Sequence, residues 1–295
     1  MNLKSQNFKS LLELNLGIIC ISTSGVLGKY ITMSSTLVIF YRSFIGMMAM
    51  GLFCMVLKKS IKIDWQRDGR LLIGSAILMG AHWITYFYAL DFTTIAIAML
   101  CIYVHPAITV LLEPLILKVS WKGIDLVLAG FVLVGVIIMV PPFGEITNDS
   151  ALGIILGLSS ALCYSLRNIV VRGLTNSVDS SALMFYQTGI IALILSPFLF
   201  TISSDVSNEE WLAIISLGIL TSAIGHTLYV QGLKAFRAST VGILSSILPV
   251  YGILWGYIFL HASPNLRTII GGIFILGVVL FKSLYQAVQK SSSNS

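Results

Sequence analysis

Charge is what this sequence has least of. Of its 295 residues only 10% are Asp, Glu, Lys or Arg, while 57% are hydrophobic; an average soluble domain carries about 25% charged residues. A water-soluble globule with so few charges would expose more apolar surface than water tolerates. That excludes a cytosolic enzyme, and so apolar a chain is not a disordered one. The net charge of +6 is not gathered into a Lys/Arg stripe with interleaved aromatics, so nucleic acid is not an expected partner. Cysteine is also scarce. Cys20, Cys54, Cys101 and Cys163 all fall inside apolar runs and read as small core residues, not as a disulfide frame or a metal site. No HExxH, GxSxG or Walker motif is present, and the four histidines, His82, His105, His226 and His261, are scattered. Ser24-Gly25-Val26-Leu27-Gly28-Lys29 superficially looks like a phosphate loop, but it lacks the spacing and the preceding strand. The sequence therefore gives no sign of an enzyme or of a cofactor, and no nucleotide-binding motif that would supply energy.

Long apolar runs are what the sequence has in abundance. A helix needs about 20 apolar residues to cross the hydrocarbon core. Ten such runs occur, near 11–30, 36–57, 70–90, 94–117, 123–141, 151–172, 181–201, 211–233, 239–260 and 267–286. They lack the alternation of barrel strands, so backbone pairing in lipid requires helices. The first run, preceded by Lys4 and Lys9, has the look of a signal peptide, but the repeat described below needs it as a retained span. The end of the chain, 289–295, is expected to be a disordered tail.

Threading ten spans alternately through the bilayer puts fourteen of the eighteen basic residues on one side, Lys29 and Arg267 on the other, and Arg42 and Arg167 inside spans. The side rich in Lys and Arg is the cytoplasmic one. The expectation is a multi-pass cell-membrane protein with both termini in the cytoplasm.

The chain also repeats itself. Tyr86-Phe87-Tyr88-Ala89-Leu90 matches Tyr229-Val230-Gln231-Gly232-Leu233, and Pro106 matches Pro249, both 143 positions apart. Cys20 and Cys163, Ser22 and Ser165, and Lys29 and Arg172 share that offset, while Phe40-Tyr41-Arg42 meets Phe185-Tyr186-Gln187 at 145. Residues 1–142 and 150–288 thus read as two copies of a five-helix unit. Five is odd, so the second copy inserts upside down. The loop charges agree: the basic loop of Lys58, Lys59, Lys62 and Arg67 corresponds to an acidic one with Asp205, Glu209 and Glu210. Inverted repeats with a site at their interface are a common build of secondary transporters.

Polar residues inside the spans are the candidates for solute binding. Arg42 lies early in the second span. It reads as an anchor for a carboxylate or phosphate, or as a snorkelling or structural cation. Tyr164, Arg167 and Asn168 cluster on the sixth span, where a polar cavity or a tight helix contact would supply their hydrogen bonds. His82 and Tyr86 share a face of the third span, and His226 and Tyr229 do so on the eighth. These faces could converge on one aqueous site, although proton coupling through them is less favoured than a histidine satisfied by a neighbouring hydroxyl. Tyr103 and His105 precede Pro106, which frees the carbonyl of residue 102. Pro106 and Pro249 are candidate hinges, with a plain packing kink as the alternative. Glu113, as a seal with Lys118 or Lys122, and Asp125 read more readily as interfacial carboxylates in water. Gly153, Gly157 and Ala161 form a small-residue stripe suited to close helix packing.

The two five-helix halves, the Tyr-x-x-Ala/Gly-Leu turn before each fourth helix, the paired prolines and the serines of the first and sixth spans together make the chain resemble the drug/metabolite transporter superfamily, in its EamA-type ten-helix branch. The resemblance covers nearly the whole chain. It implies an all-α integral membrane fold of ten transmembrane helices in two inverted repeats. It further implies a cavity lined by helices 1, 3, 4 and 6, 8, 9, alternating access, and helices 5 and 10 as buttresses. The implied partner is a small polar or amphipathic metabolite, such as an amino acid or derivative, in a lipid bilayer, with export as the family default. A flippase or carrier for a phosphorylated or lipid-linked solute is the alternative, and a homodimer stays open.

Overall fold

The computed structural model describes residues 3–93, 98, 101–139, 148–201, 206–261, 263–264 and 266–292. Among the described residues every regular element is helical. Ten segments follow in order, labelled α1 to α10. They are α1 (Leu3–Ser22, restarting as Ser24–Gly28), α2 (Ser35–Val56), α3 (Gly69–Phe92), α4 (His105–Leu117) and α5 (Gly123–Met139). Then come α6 (Asn148–Leu174), α7 (Ser180–Leu195), α8 (Asn208–Ala235), α9 (Ala238–Leu260) and α10 (Leu266–Ser292). Eight described helices are long and apolar enough to cross a membrane, and His105–Leu117 and Gly123–Ile138 are shorter apolar ones. The expected fourth span, 94–117, is described only in part. The expected tail from 289 is helical as far as Ser292, because Gln286, Ala287, Gln289 and Lys290 are good helix formers that can extend the helix beyond the apolar run. Residues 293–295 lie outside the described residues.

An even number of crossings leaves both termini on one face, called here the terminal face. Backbone groups in lipid must pair within the segment, which is why each apolar run is a helix. The ends are set by local chemistry. Asp179 accepts a bond from Ser181 N at the start of α7. Ser207 and Glu210 form a reciprocal capping box at the start of α8, which satisfies two otherwise unpaired donors. Asp68 sits just before α3, and the Arg67 guanidinium beside it holds its carboxyl below the usual carboxylate range.

Backbone geometry repeats with the sequence. α4 ends on Lys118 and α9 on His261, both left-handed with φ 52°. Such a conformation is uncommon for non-glycine residues, and these two lie 143 positions apart. α3 and α8 end on extended Thr93 and Phe236, again at that offset. Packing obeys the same exchange: α3 lies on α6 as α8 lies on α1, while α2 packs on α7 and α5 on α10. Trp83 and His226, equivalent residues of the two copies, meet with ring centroids 5.5 Å apart, as residues beside a twofold axis do.

With no hydrophobic force between helices in lipid, close approach over small residues holds the bundle. A Cβ on Gly157 would lie 2.6 Å from that of Cys101, and one on Gly153 would lie 2.7 Å from that of Thr93. The small-residue stripe of α6 is therefore the surface on which α3 and the start of the fourth span pack. Large apolar side chains of α10, among them Leu266, Ile273, Leu280 and Leu284, remain exposed, as a lipid-facing surface requires.

Candidate functional site

A cavity of about 390 Å³ opens at the face opposite the termini. Its walls come from the end of α1 (Ser24, Gly25, Lys29), the start of α2 (Ser35, Val38), the end of α3 (Tyr86, Phe87, Leu90, Asp91) and the end of α9 (Gly252, Gly256, Leu260). The expected lining by helices 1, 3, 4 and 6, 8, 9 is corrected here: α2 contributes to this cavity, because its opening residues face the end of α3, with Ser35 Oγ 3.4 Å from Asp91 Oδ2. The segment that superficially looked like a phosphate loop forms part of the mouth.

Beneath the cavity lies a buried polar core. Ser35, Val38 and Arg42 share one face of α2, so Arg42 sits one turn below the residues that line the cavity. Its guanidinium stacks 4.2 Å from the Trp83 ring centroid and donates to Thr221 Oγ1 (2.8 Å) and Ser222 Oγ (3.1 Å). Those hydroxyls stand on a π-helical stretch of α8, Leu217–Gly225. A π turn widens the helix, and here it leads directly into His226.

The sixth-span cluster is joined to the other copy. Arg167 donates to Gln187 Oε1 (2.6 Å) and Asn168 Oδ1 (3.1 Å), and Gln187 passes a bond to Ser75 Oγ (2.6 Å). Asn168 donates to the Tyr229 hydroxyl at 3.2 Å. Tyr164 stacks on His82 at 4.4 Å and contacts His105 at 5.0 Å and Tyr229 at 5.8 Å. Tyr86, which lines the cavity, lies 6.4 Å from His82. Tyr86 therefore belongs both to the cavity wall and to the core.

Tyr164 lies between the two His-plus-Tyr faces, on His82 to one side and Tyr229 to the other, and the two histidines differ in their partners. His82 Nδ1 lies 2.8 Å from Ser160 Oγ, whereas His226 Nδ1 is buried with no partner. Tyr103 is buried in the same apolar cluster, with no hydrogen bond to the polar core among the described contacts. The sequence did not single out Trp83, Ser75, Thr221 and Ser222. A lone Trp or a hydroxyl residue in an apolar run carries no pattern of its own, and only the packing of α2 on α8 and α3 on α7 gives these residues partners.

Both prolines stand where their span breaks. The chain turns at Tyr103 and Val104 before α4, and at Ser246 and Ile247 within α9. The carbonyl of Ile102, freed by Pro106, accepts a bond from His105 Nδ1 at 3.0 Å. That fixes Nδ1 as a donor and leaves Nε2 facing Ser245 Oγ at 3.5 Å.

At the terminal face two buried carboxylates tie neighbouring helices together. Glu113 accepts from Ala238 N (2.7 Å) and Ser239 N (2.9 Å), the first amides of α9, with Arg237 Nε 3.7 Å away. Asp125 on α5 pairs with Lys282 on α10, and Ser239 Oγ donates to it. Both carboxylates are 1–2% exposed, which corrects the reading of them as interfacial groups in water. The partners of Glu113 are Arg237 and a helix N-terminus rather than Lys118 or Lys122, because the positive end of the α9 dipole lies directly against the end of α4.

Ten apolar helices in two copies, with a polar core beneath a cavity that opens to one side, define a multi-pass membrane protein. The sequence profile of the EamA-like transporter family matches residues 10–140 and 151–284, and the chain belongs to that family; it is a transporter rather than an enzyme. An uncharacterized transporter of Archaeoglobus fulgidus is 29% identical over 244 residues, covering 82% of this chain and 84% of the relative. The pseudopaline exporter CntI of Pseudomonas aeruginosa is 23% identical, covering 83% and 84%. A solved crystal structure with 20% identity superposes with a TM-score of 0.80 over 95% of this chain and 98% of its own, a likeness of fold.

Proposed function

We propose that this protein is a secondary carrier that moves a small polar or amphipathic metabolite, such as an amino acid derivative, across the cell membrane by alternating access. In this reading the terminal face is cytoplasmic, in keeping with its Lys and Arg excess, and the direction is export. One observation carries the proposal. Glu113, which latches the terminal face, has Gly256 as its equivalent 143 positions on, and Gly256 lines the open cavity. The same place in the repeat is thus locked on one face and empty on the other, as one end state of a rocking pair would be. Transport exchanges the two states, with residues 1–142 and 150–288 as the moving halves and Pro106 and Pro249 as hinges. His82, Tyr86, Tyr164, Arg167, Asn168, His226, Tyr229 and Arg42 would bind the solute, with Tyr103 beside them. Reconstitution in liposomes tests this. A carrier gives saturable flux and accelerates labelled solute when unlabelled solute is on the far side; flux linear in concentration would instead indicate a channel.

A further inference from the structure

Among the described residues the polar core holds two buried cations and no buried anion. Arg42 is 2% exposed and Arg167 is 0% exposed. Their partners are neutral throughout: two hydroxyls and an indole for Arg42, two amide oxygens and the Met184 thioether for Arg167. Among the described residues no carboxylate pairs with either. The other described acidic side chains have partners elsewhere, among them Glu13 beside Lys9, Asp68 on Arg67, Asp91 beside Ser35, Asp125 on Lys282, and Glu113 and Asp179 at helix N-termini. Arg42 stacks on Trp83, whose ring also meets His226.

The same chain shows what it does with a buried cation that has only a structural task. Lys282 is fully buried, and Asp125 neutralises it directly. A resident carboxylate in the core would have removed the cost of holding guanidinium groups at membrane depth. Hydroxyl and amide oxygens orient a guanidinium but cancel none of its charge. The core has unused capacity as well: Arg167 Nε and His226 Nδ1 are buried without partners. A carboxylate or phosphate accepts charge-assisted hydrogen bonds from such donors. The cavity rim carries Lys29 and Asp91 together, so it imposes no net sign; the selection falls to the core one turn below.

We infer that the transported solute supplies the missing charge: it bears a carboxylate or phosphate group that enters beside Arg42 and Arg167, and organic cations are excluded. This rests on the carrier reading above, and it narrows the solute from polar metabolites in general to anionic or zwitterionic ones.

The test is a thermal-stabilisation panel on the purified protein. It uses the amino acids free, as N-acetyl derivatives and as methyl esters, with a set of phosphomonoesters and choline. The expected result is stabilisation confined to compounds with a free anionic group, the N-acetyl form shifting the transition at least as far as the free amino acid and the ester not at all. Stabilisation by phosphomonoesters alone keeps the inference and names phosphate as the group. Stabilisation by esters or choline equal to that by the acids overturns it, and so does a panel in which no anion stabilises. Arg42→Gln keeps a hydrogen-bonding side chain and removes the charge; it should weaken the best anion roughly 30-fold or more and erase the preference for acid over ester. Should that variant fold poorly, the wild-type panel decides alone. Saturable transport of a neutral or cationic solute would leave the carrier reading standing and remove only this one. Binding of anions without saturable flux would do the reverse.

Discussion

At the terminal face the end of α4 is held by a carboxylate on the first amides of α9. At the opposite face the equivalent end of α9 carries Gly256, which lines a cavity. The backbones of these two ends match closely, down to a left-handed closing residue with the same φ. Duplication has therefore fixed the frame, and side chains set the two ends apart. In the carrier reading proposed above, a charge-assisted bond at one end and no side chain at the other would bias a near-symmetric bundle towards one state. In a carrier, that bias has to be small enough for a solute to reverse.

The sharpest way to break the comparison is at the buried ion pair. Lys282→Met leaves Asp125 charged with no cation to pair it, only the Ser239 hydroxyl, and should cost about 3–5 kcal/mol of stability in detergent. Adding Asp125→Leu should return most of the loss. An unchanged melting temperature in the single variant would mean that the terminal face is not held there. Next in size is the latch. Glu113→Gln loses the charge on two amide bonds, about 1.5–3 kcal/mol, and should raise labelling of a cysteine placed at Val241 by roughly tenfold or more.

Two glycines separate packing from open space. Gly157→Ala drives a Cβ into Cys101 and should cost about 1–3 kcal/mol. Gly256→Ala meets nothing within 4 Å and should stay within about 0.5 kcal/mol. Equal effects in the two melting curves would contradict the cavity. The smallest effect lies outside the spans. Arg67 lowers the Asp68 carboxyl below its usual value, so this pair stabilises the fold above the ordinary Asp range. Its contribution fades as pH falls through the lowered value. Arg67→Ala should flatten that acid limb slightly in a pH series of melting temperatures.

Much of the fold was legible because lipid makes simple demands. Run length set the spans, and the 143-residue offset exposed the duplication before any contact was known. The position of Pro106 announced a free carbonyl at residue 102, which the structure caps with His105. The site was legible only in part. Arg42, Arg167, Tyr164 and His82 stood out because polar groups are costly inside apolar runs. Trp83, Ser75, Thr221 and Ser222 did not, since nothing in one helix tells which face another helix will meet. Glu113 and Asp125 were misread for a related reason: a carboxylate at a span end is usually wet, unless a neighbouring helix N-terminus or a lysine from far along the chain covers it.

The sequence alone determined that the chain spans a membrane ten times in two opposed copies, because hydrocarbon rejects unpaired backbone and charge whatever the neighbours are. The tertiary structure alone decided which carboxylates are buried at the terminal face, where the cavity opens and that, among the described residues, the buried arginines meet no acid. Those outcomes depend on contacts between residues more than a hundred positions apart, where packing geometry rather than local pattern sets the partner.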